Sequence, residues 1–145
     1  MEKENLKYEA LQLAIFSDIV SMLSREIEEI SLIKLIVFSF IVKRNAYSGT
    51  VYNLKTKKNI LEKLLSTMLG EMERFNENLV YIVRAIDLLV KNNVLKVSGN
   101  SVYYLNSDKD FSSHRYKIDS FTHKAIDESK YLSDEQFISE VIANV

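Results

Sequence analysis

The sequence predicts a mainly α-helical chain carrying one small β-hairpin, and three observations predict it. Proline is absent and glycine occurs three times in 145 residues, so apolar-periodic stretches run with almost no breakers. Along them apolar side chains recur every three or four positions, the spacing of one helix face. The exception is VLKVSGNSVYYLN, two β-favouring runs either side of Ser98-Gly99-Asn100-Ser101, which reads as a hairpin over Val94 to Leu105 turning at Gly99-Asn100. At 16.8 kDa, with 47% apolar and 27% charged residues, the chain has material for one hydrophobic core and is not a disordered tract.

Element by element, a first helix is expected from Leu6 to Ser24, with Leu11, Ile15, Ile19 and Leu23 as its stripe. A second begins near Glu29, where Ile30 to Val42 is interrupted only by Ser31, Lys34 and Ser39. A run apolar almost all round is either membrane-spanning or central to a core. A bilayer needs ~20 apolar residues, so the shorter run here predicts a buried central helix. Ser48-Gly49 then suggests a turn, and Thr50, Val51 and Tyr52 a short strand. Asn59 to Phe75 predicts an amphipathic helix with Ile60, Leu61, Leu64, Leu65, Met68, Leu69 and Met72 on one face. Asn76 is the expected N-cap of a fourth, running to Asn92, with Leu79, Ile82, Val83, Ile86, Leu89 and Val90 inward. After the hairpin and a polar stretch from Asn106, two short helices are expected at Asp119 to Lys130 and Asp134 to Asn144, the second entered through Ser133 and Gln136 at capping-box spacing. The order matches a winged helix-turn-helix core with C-terminal helices. It implies a winged-helix domain over 1–105, then a connector and helical extension over 106–145 that docks on the domain or on a partner.

Composition removes several chemistries. Cysteine is absent, which excludes disulfides, thiolate metal sites and cysteine nucleophiles and suits a reducing compartment, so a cytoplasmic location is expected. MEKENLKYEA lacks the basic-then-apolar order of a signal peptide. His114 and His123 lie nine residues apart, a spacing that puts them on no shared helix face for a metal. Glu28-Glu29, Glu71/Glu73 and Asp134-Glu135 are adjacent or alternate acids that point apart on a helix. No nucleophile elbow, phosphate-binding loop or dinucleotide fingerprint can be assembled from glycines at 49, 70 and 99. The expectation is a protein without catalysis, cofactor or metal.

Charge is segregated although the net is only −1. Between Glu29 and Glu62 there is no acid, whereas Lys34, Lys43, Arg44, Lys55, Lys57 and Lys58 fall inside that interval. Lys43, Arg44, Lys55, Lys57 and Lys58 therefore form a candidate basic patch for phosphate or an acidic partner, or else solubilise the surroundings of a very apolar helix. The helix before the hairpin holds the place of a DNA-recognition helix. Its outward residues Glu77, Arg84, Asp87 and Lys91 balance, and the wing adds only Lys96, so DNA binding by this chain alone is expected to be weak. Tyr81, Tyr103 and Tyr104 carry amphipathic rings of the kind enriched at protein interfaces. Phe137, Ile138, Val141 and Ile142 form a second candidate interface unless they dock on the chain's own domain.

The pattern SLIKLIVFSFIVKR, then a polar stretch, LEKLLSTMLGEMERFNENLVYIVRAIDLLVKNNVLKV and a hairpin, over roughly Leu6 to Leu105, resembles the middle components of bacterial ABC-three-component systems, the class that includes the small subunit of Lamassu-type defence. The resemblance lies in element order and apolar pattern. It implies a small winged-helix adaptor without catalysis of its own, bridging an SMC-like ATPase and an effector subunit in anti-phage or anti-plasmid defence. Self-association, a winged-helix transcriptional or replication regulator on DNA, and a purely structural helical subunit are the alternatives the residues leave open. No membrane partner is expected.

Overall fold

The computed structural model describes residues 2–48, 59–105 and 115–144. Helix α1 (Glu2–Glu26) is followed by a two-residue strand β1 (Ile30–Ser31), α2 (Leu32–Ser48), α3 (Ile60–Ser66), α4 (Met72–Lys91), the hairpin strands β2 (Leu95–Ser98) and β3 (Ser101–Tyr104), α5 (Ser120–Ser129) and α6 (Asp134–Asn144). The architecture is mainly helical with a three-stranded antiparallel sheet in the order β1-β3-β2. The expected strand at Thr50 to Tyr52 lies outside the described residues.

Helix α1 begins earlier than its apolar stripe suggested, and the stripe is rotated. Phe16, Ile19 and Leu23 are fully buried, whereas Leu11 is 57% exposed. The buried row is Gln12, Phe16, Ile19 and Leu23, spaced i, i+4, i+7, i+11, and it includes a glutamine that an apolar count passes over.

The second helix does not start at Glu29. Ile30 pairs with Val102 and Ser31 with Ser101, so the first two residues of the apolar run add a third strand to the hairpin. The ladder continues as the Leu32 N–H donates to the Asn100 carbonyl at 2.7 Å. The Ser31 hydroxyl accepts from the Lys34 N–H at 3.3 Å, which satisfies a donor of the first turn of α2. From there the helix is sequestered as expected: Leu35, Val37, Phe38, Phe40, Ile41 and Val42 are all buried.

The apolar face expected to run unbroken from Asn59 to Phe75 is two helices. Asn59 caps α3 by accepting from the Glu62 N–H at 2.7 Å, but α3 ends at Ser66. Ser66 and Thr67 hydroxyls bond back to the Lys63 and Leu64 carbonyls, competing with the helix ladder. Gly70, at φ +81°, then turns the chain through a conformation side chains resist. Helix α4 accordingly starts at Met72, not after Asn76, with Glu71 as an N-cap that makes no side-chain cap bond. Leu69, expected inside, is 77% exposed at the turn.

At the other end the expected stop is exact in position. Asn93 sits at φ 61°, its N–H donates to the Val90 carbonyl, and the Val94 N–H donates to that of Leu89, the paired bonds of a Schellman motif. The hairpin follows in the expected register, with Leu95 opposite Tyr104 and Val97 opposite Val102. Gly99 has φ +60° and Asn100 does not have a positive φ, the arrangement of a type II′ turn, whose twist suits paired strands.

Both C-terminal helices form where their caps indicate. The Asp119 carboxylate accepts from the Thr122 N–H at 2.6 Å. Ser133 and Gln136 bond each other's backbone N–H groups at 2.9 and 3.1 Å, a complete capping box. The extension docks on the domain: Ala125, Ile126 and Phe137 are buried in the same core as α2 and α3, and the rings of Phe38 and Phe137 lie 5.6 Å apart.

Candidate protein-binding face

The core-facing row of α4 is Asn78, Ile82, Ala85, Ile86 and Leu89. That leaves to solvent a surface that includes Glu73, Arg74, Glu77, Val80, Val83, Arg84, Asp87, Leu88 and Lys91. Val83, expected inward, is 48% exposed, and Val80 and Leu88 are 45% and 40% exposed. A stripe 100° wide cannot include every apolar residue of a helix this rich in them. The polar part of the expectation holds: Glu77, Arg84, Asp87 and Lys91 are all exposed. Lys91 and Asp87 close an ion pair at 2.8 Å, which raises the Lys91 pKa above its usual value. With Glu73 and Arg74 included, the exposed side of the helix carries three acids and three bases, and its solvent-exposed valines and leucine make it apolar and close to neutral.

The three tyrosines do not gather into one patch. Tyr81 is half-buried edge-on against Tyr8, ring centroids 6.1 Å apart, a contact the periodicity of α1 gave no sign of. Tyr103 donates its hydroxyl to Glu29 Oε1 at 3.2 Å, and Ser101 donates to the same oxygen at 3.3 Å. Tyr104 packs on the core. Of the C-terminal stripe, Phe137 is fully buried and belongs to the interior, so it is not available as an interface residue. Val141 is half-buried, while Ile138 and Ile142 remain 37% and 66% exposed.

The basic patch does not survive in its described part. Lys43 points inward, where its ammonium donates to the side-chain oxygens of Gln12 and Asn78 and lies 5.0 Å from the centre of the Phe16 ring. Burial, and secondly the charge of Arg74, push its pKa below the usual lysine value. Arg44 donates to the Thr67 carbonyl and hydroxyl, occupying acceptors at the end of α3, and pairs with Glu71 at 3.4 Å. Lys34 is buried and donates to the Leu132 carbonyl at 2.7 Å; burial lowers its pKa against an opposing pull from Asp134. All three are internal clamps between helices. Long stems let a cation on a buried helix reach carbonyl and amide oxygens elsewhere, and spacing in the sequence holds no trace of those partners. Lys55, Lys57, Lys58 and His114 lie outside the described residues.

His123 is exposed and faces Asp127 at 3.3 Å. Among the described residues no three His, Cys, Asp or Glu side chains gather as metal ligands, and no helix is long and apolar enough to cross a membrane. An open groove of about 430 Å³ beside β1 is lined by Glu28, Glu29, Lys34 and Lys130 with Ile27 and Ser129 among its walls, two acids against two bases. No protein-family model, curated protein or solved structure matches this chain.

Proposed function

We propose that this chain is a non-catalytic adaptor subunit, a winged helix-turn-helix that binds protein where DNA-reading relatives of that architecture bind DNA, and that it serves in a cytoplasmic bacterial defence complex between an SMC-like ABC ATPase and an effector. The observation that carries it is the outer face of α4. This helix precedes the hairpin, the place of a recognition helix, yet it presents exposed Val80, Val83 and Leu88 among acids and bases in equal number. Insertion into a duplex groove needs cations toward the phosphates; an apolar surface with a mixed polar rim fits a protein. The winged-helix part of the reading is supported by element order and by β1, immediately before α2, pairing with β3. The defence assignment rests on the resemblance in element order and apolar pattern.

Two experiments test it. Short duplex DNA is expected to bind with Kd weaker than ~1 μM at physiological salt; a tight, sequence-dependent gel shift abolished by Arg84→Glu makes the chain a DNA-binding regulator instead. Co-expression with the adjacent genes is expected to recover the chain in complex with an ATPase, and a chain that purifies free of every neighbouring product rejects the adaptor.

A further inference from the structure

We propose that the outer face of α4 pairs with the same face of a second copy of this chain, antiparallel about a two-fold axis between Val80 and Val83. The inference rests on reading that face as protein-binding and names its occupant.

Charge is laid out along the helix in two halves about a pair of valines. Val80 and Val83 are three residues apart, hence neighbours on the helix surface, and sit near the middle of its 20 residues. On the amino-terminal side lie Glu73 and Glu77, both exposed, and Arg74, whose charge is matched by Glu71 at 3.5 Å. On the carboxy-terminal side lies Arg84, also exposed, and then Asp87 and Lys91, which neutralise each other. Glu73, Glu77 and Arg84 make no ion pair with another described residue. A face acidic in one half, basic in the other and apolar between is complementary to its own antiparallel copy. It is complementary to no uniformly charged partner. A two-fold axis applies each contact twice: Arg84 of either copy meets Glu77 of the other, with the valines between the two contacts, and Glu73 comes opposite the Lys91 end.

Size sets the strength. A helix of this length runs ~30 Å, and one helix pair covers an area at the small end of specific interfaces, which corresponds to a transient dimer. The exposed ion pairs also make it salt-sensitive.

The test is the mass in solution, by light scattering or sedimentation from ~1 to ~200 μM, the range expected of a small transient interface. The wild-type mass is expected to rise with concentration from 16.8 kDa toward twice that value. Arg84→Glu and Glu77→Arg each turn two symmetric attractions into repulsions, and each is expected to raise the dimer Kd about tenfold or more. Mixing the two variants restores both contacts, as does combining them in one chain, and dimerisation is expected to return in either case. Melting temperatures close to wild type show that the variants fold. A wild type that stays monomeric throughout, single variants that dimerise unchanged, or a charge swap that restores nothing overturns the pairing. Failure of this proposal is separable from failure of the adaptor reading: a monomer that still co-purifies with the ATPase rejects only the dimer, whereas tight sequence-dependent DNA binding rejects the adaptor.

Discussion

Helices α2 and α4 have nearly equal length and three cations each, and they use them in opposite ways. In α2 the cations fold inward onto oxygen acceptors of other elements: Lys34 to Leu132, Lys43 to Gln12 and Asn78, Arg44 to Thr67. In α4, Arg74, Arg84 and Lys91 all stand in solvent. The difference follows from the apolar surface around them. Helix α2 is apolar nearly all round and is covered by neighbours, so a charge on it must find acceptors inside. Helix α4 has one stripe to bury and leaves its remaining residues to water. A run of basic residues is therefore not a basic surface until the burial of the helix carrying it is known.

The largest effect is expected where the cover over α2 is removed. Phe137 of α6 is fully buried with its ring 5.6 Å from that of Phe38. Truncating such a ring costs ~3–5 kcal/mol, and Phe137→Asp adds an unpaired buried charge. The free chain is expected to unfold or to lose most of its stability in a denaturant melt. A Phe137→Asp protein with wild-type stability would mean that α6 is a detachable interface helix and that α2 is not enclosed by its own chain.

Next comes the clamp at Lys43. Lys43→Met leaves the Gln12 and Asn78 oxygens without their donor and is expected to cost ~1–3 kcal/mol. It also changes the pH response. Because burial lowers the folded pKa of Lys43 below 10.5, the unfolded chain holds that proton more tightly than the folded one. Wild-type stability thus gains from this group as pH rises from the lowered value toward 10.5. The difference between wild type and Lys43→Met, read from urea midpoints at neutral and alkaline pH, is expected to widen upward. A difference that stays constant would place the ammonium in water, and one that narrows would mean that the folded chain holds its proton more tightly, as Asp87 does for Lys91 in α4.

The signals legible in the sequence are those completed within a few residues. Asn92-Asn93 ends α4, Gly99-Asn100 turns the hairpin, and Ser133 with Gln136 opens α6, because each motif supplies its own donors and acceptors locally. What escaped needs the rest of the molecule. Ile30 and Ser31 look like the start of a helix and are a strand only because Val102 and Ser101 come back to pair with them. The α3 to α4 break hides in an apolar row that continues through it, marked by a single glycine at a positive φ. Of the candidate site, the outward polar residues of α4 were readable from period alone. The exposure of Val83 and the inward turn of Lys43 and Arg44 depend on which neighbours occupy the space.

A smaller effect is expected in the hairpin that follows α4. Gly99→Ala meets no atom within 4 Å, so its cost is confined to the backbone at φ +60°, ~1 kcal/mol. The melt should fall slightly with no change in the cooperativity of unfolding. A loss several times larger would show that the turn, and not only its conformation, is packed on the domain.

The smallest effect on stability sharpens the comparison most. Val83 in α4 and Val37 in α2 are the same side chain on helices of similar length, one 48% and the other 5% exposed. Val37→Ala removes two buried methyl groups and is expected to cost more than 1 kcal/mol. At Val83 the lost apolar contact with its neighbours is offset by the better helix propensity of alanine, ~0.5 kcal/mol, so Val83→Ala should leave the melt of the isolated chain within ~0.5 kcal/mol of wild type. The residue is then free to matter elsewhere: at concentrations where the wild type dimerises, Val83→Ala should shift the equilibrium toward monomer while Val37→Ala, measured where it remains folded, should not. Equal stability losses at the two valines would show that the outer face of α4 is already covered within the monomer, leaving no surface for a second copy or any other partner to take.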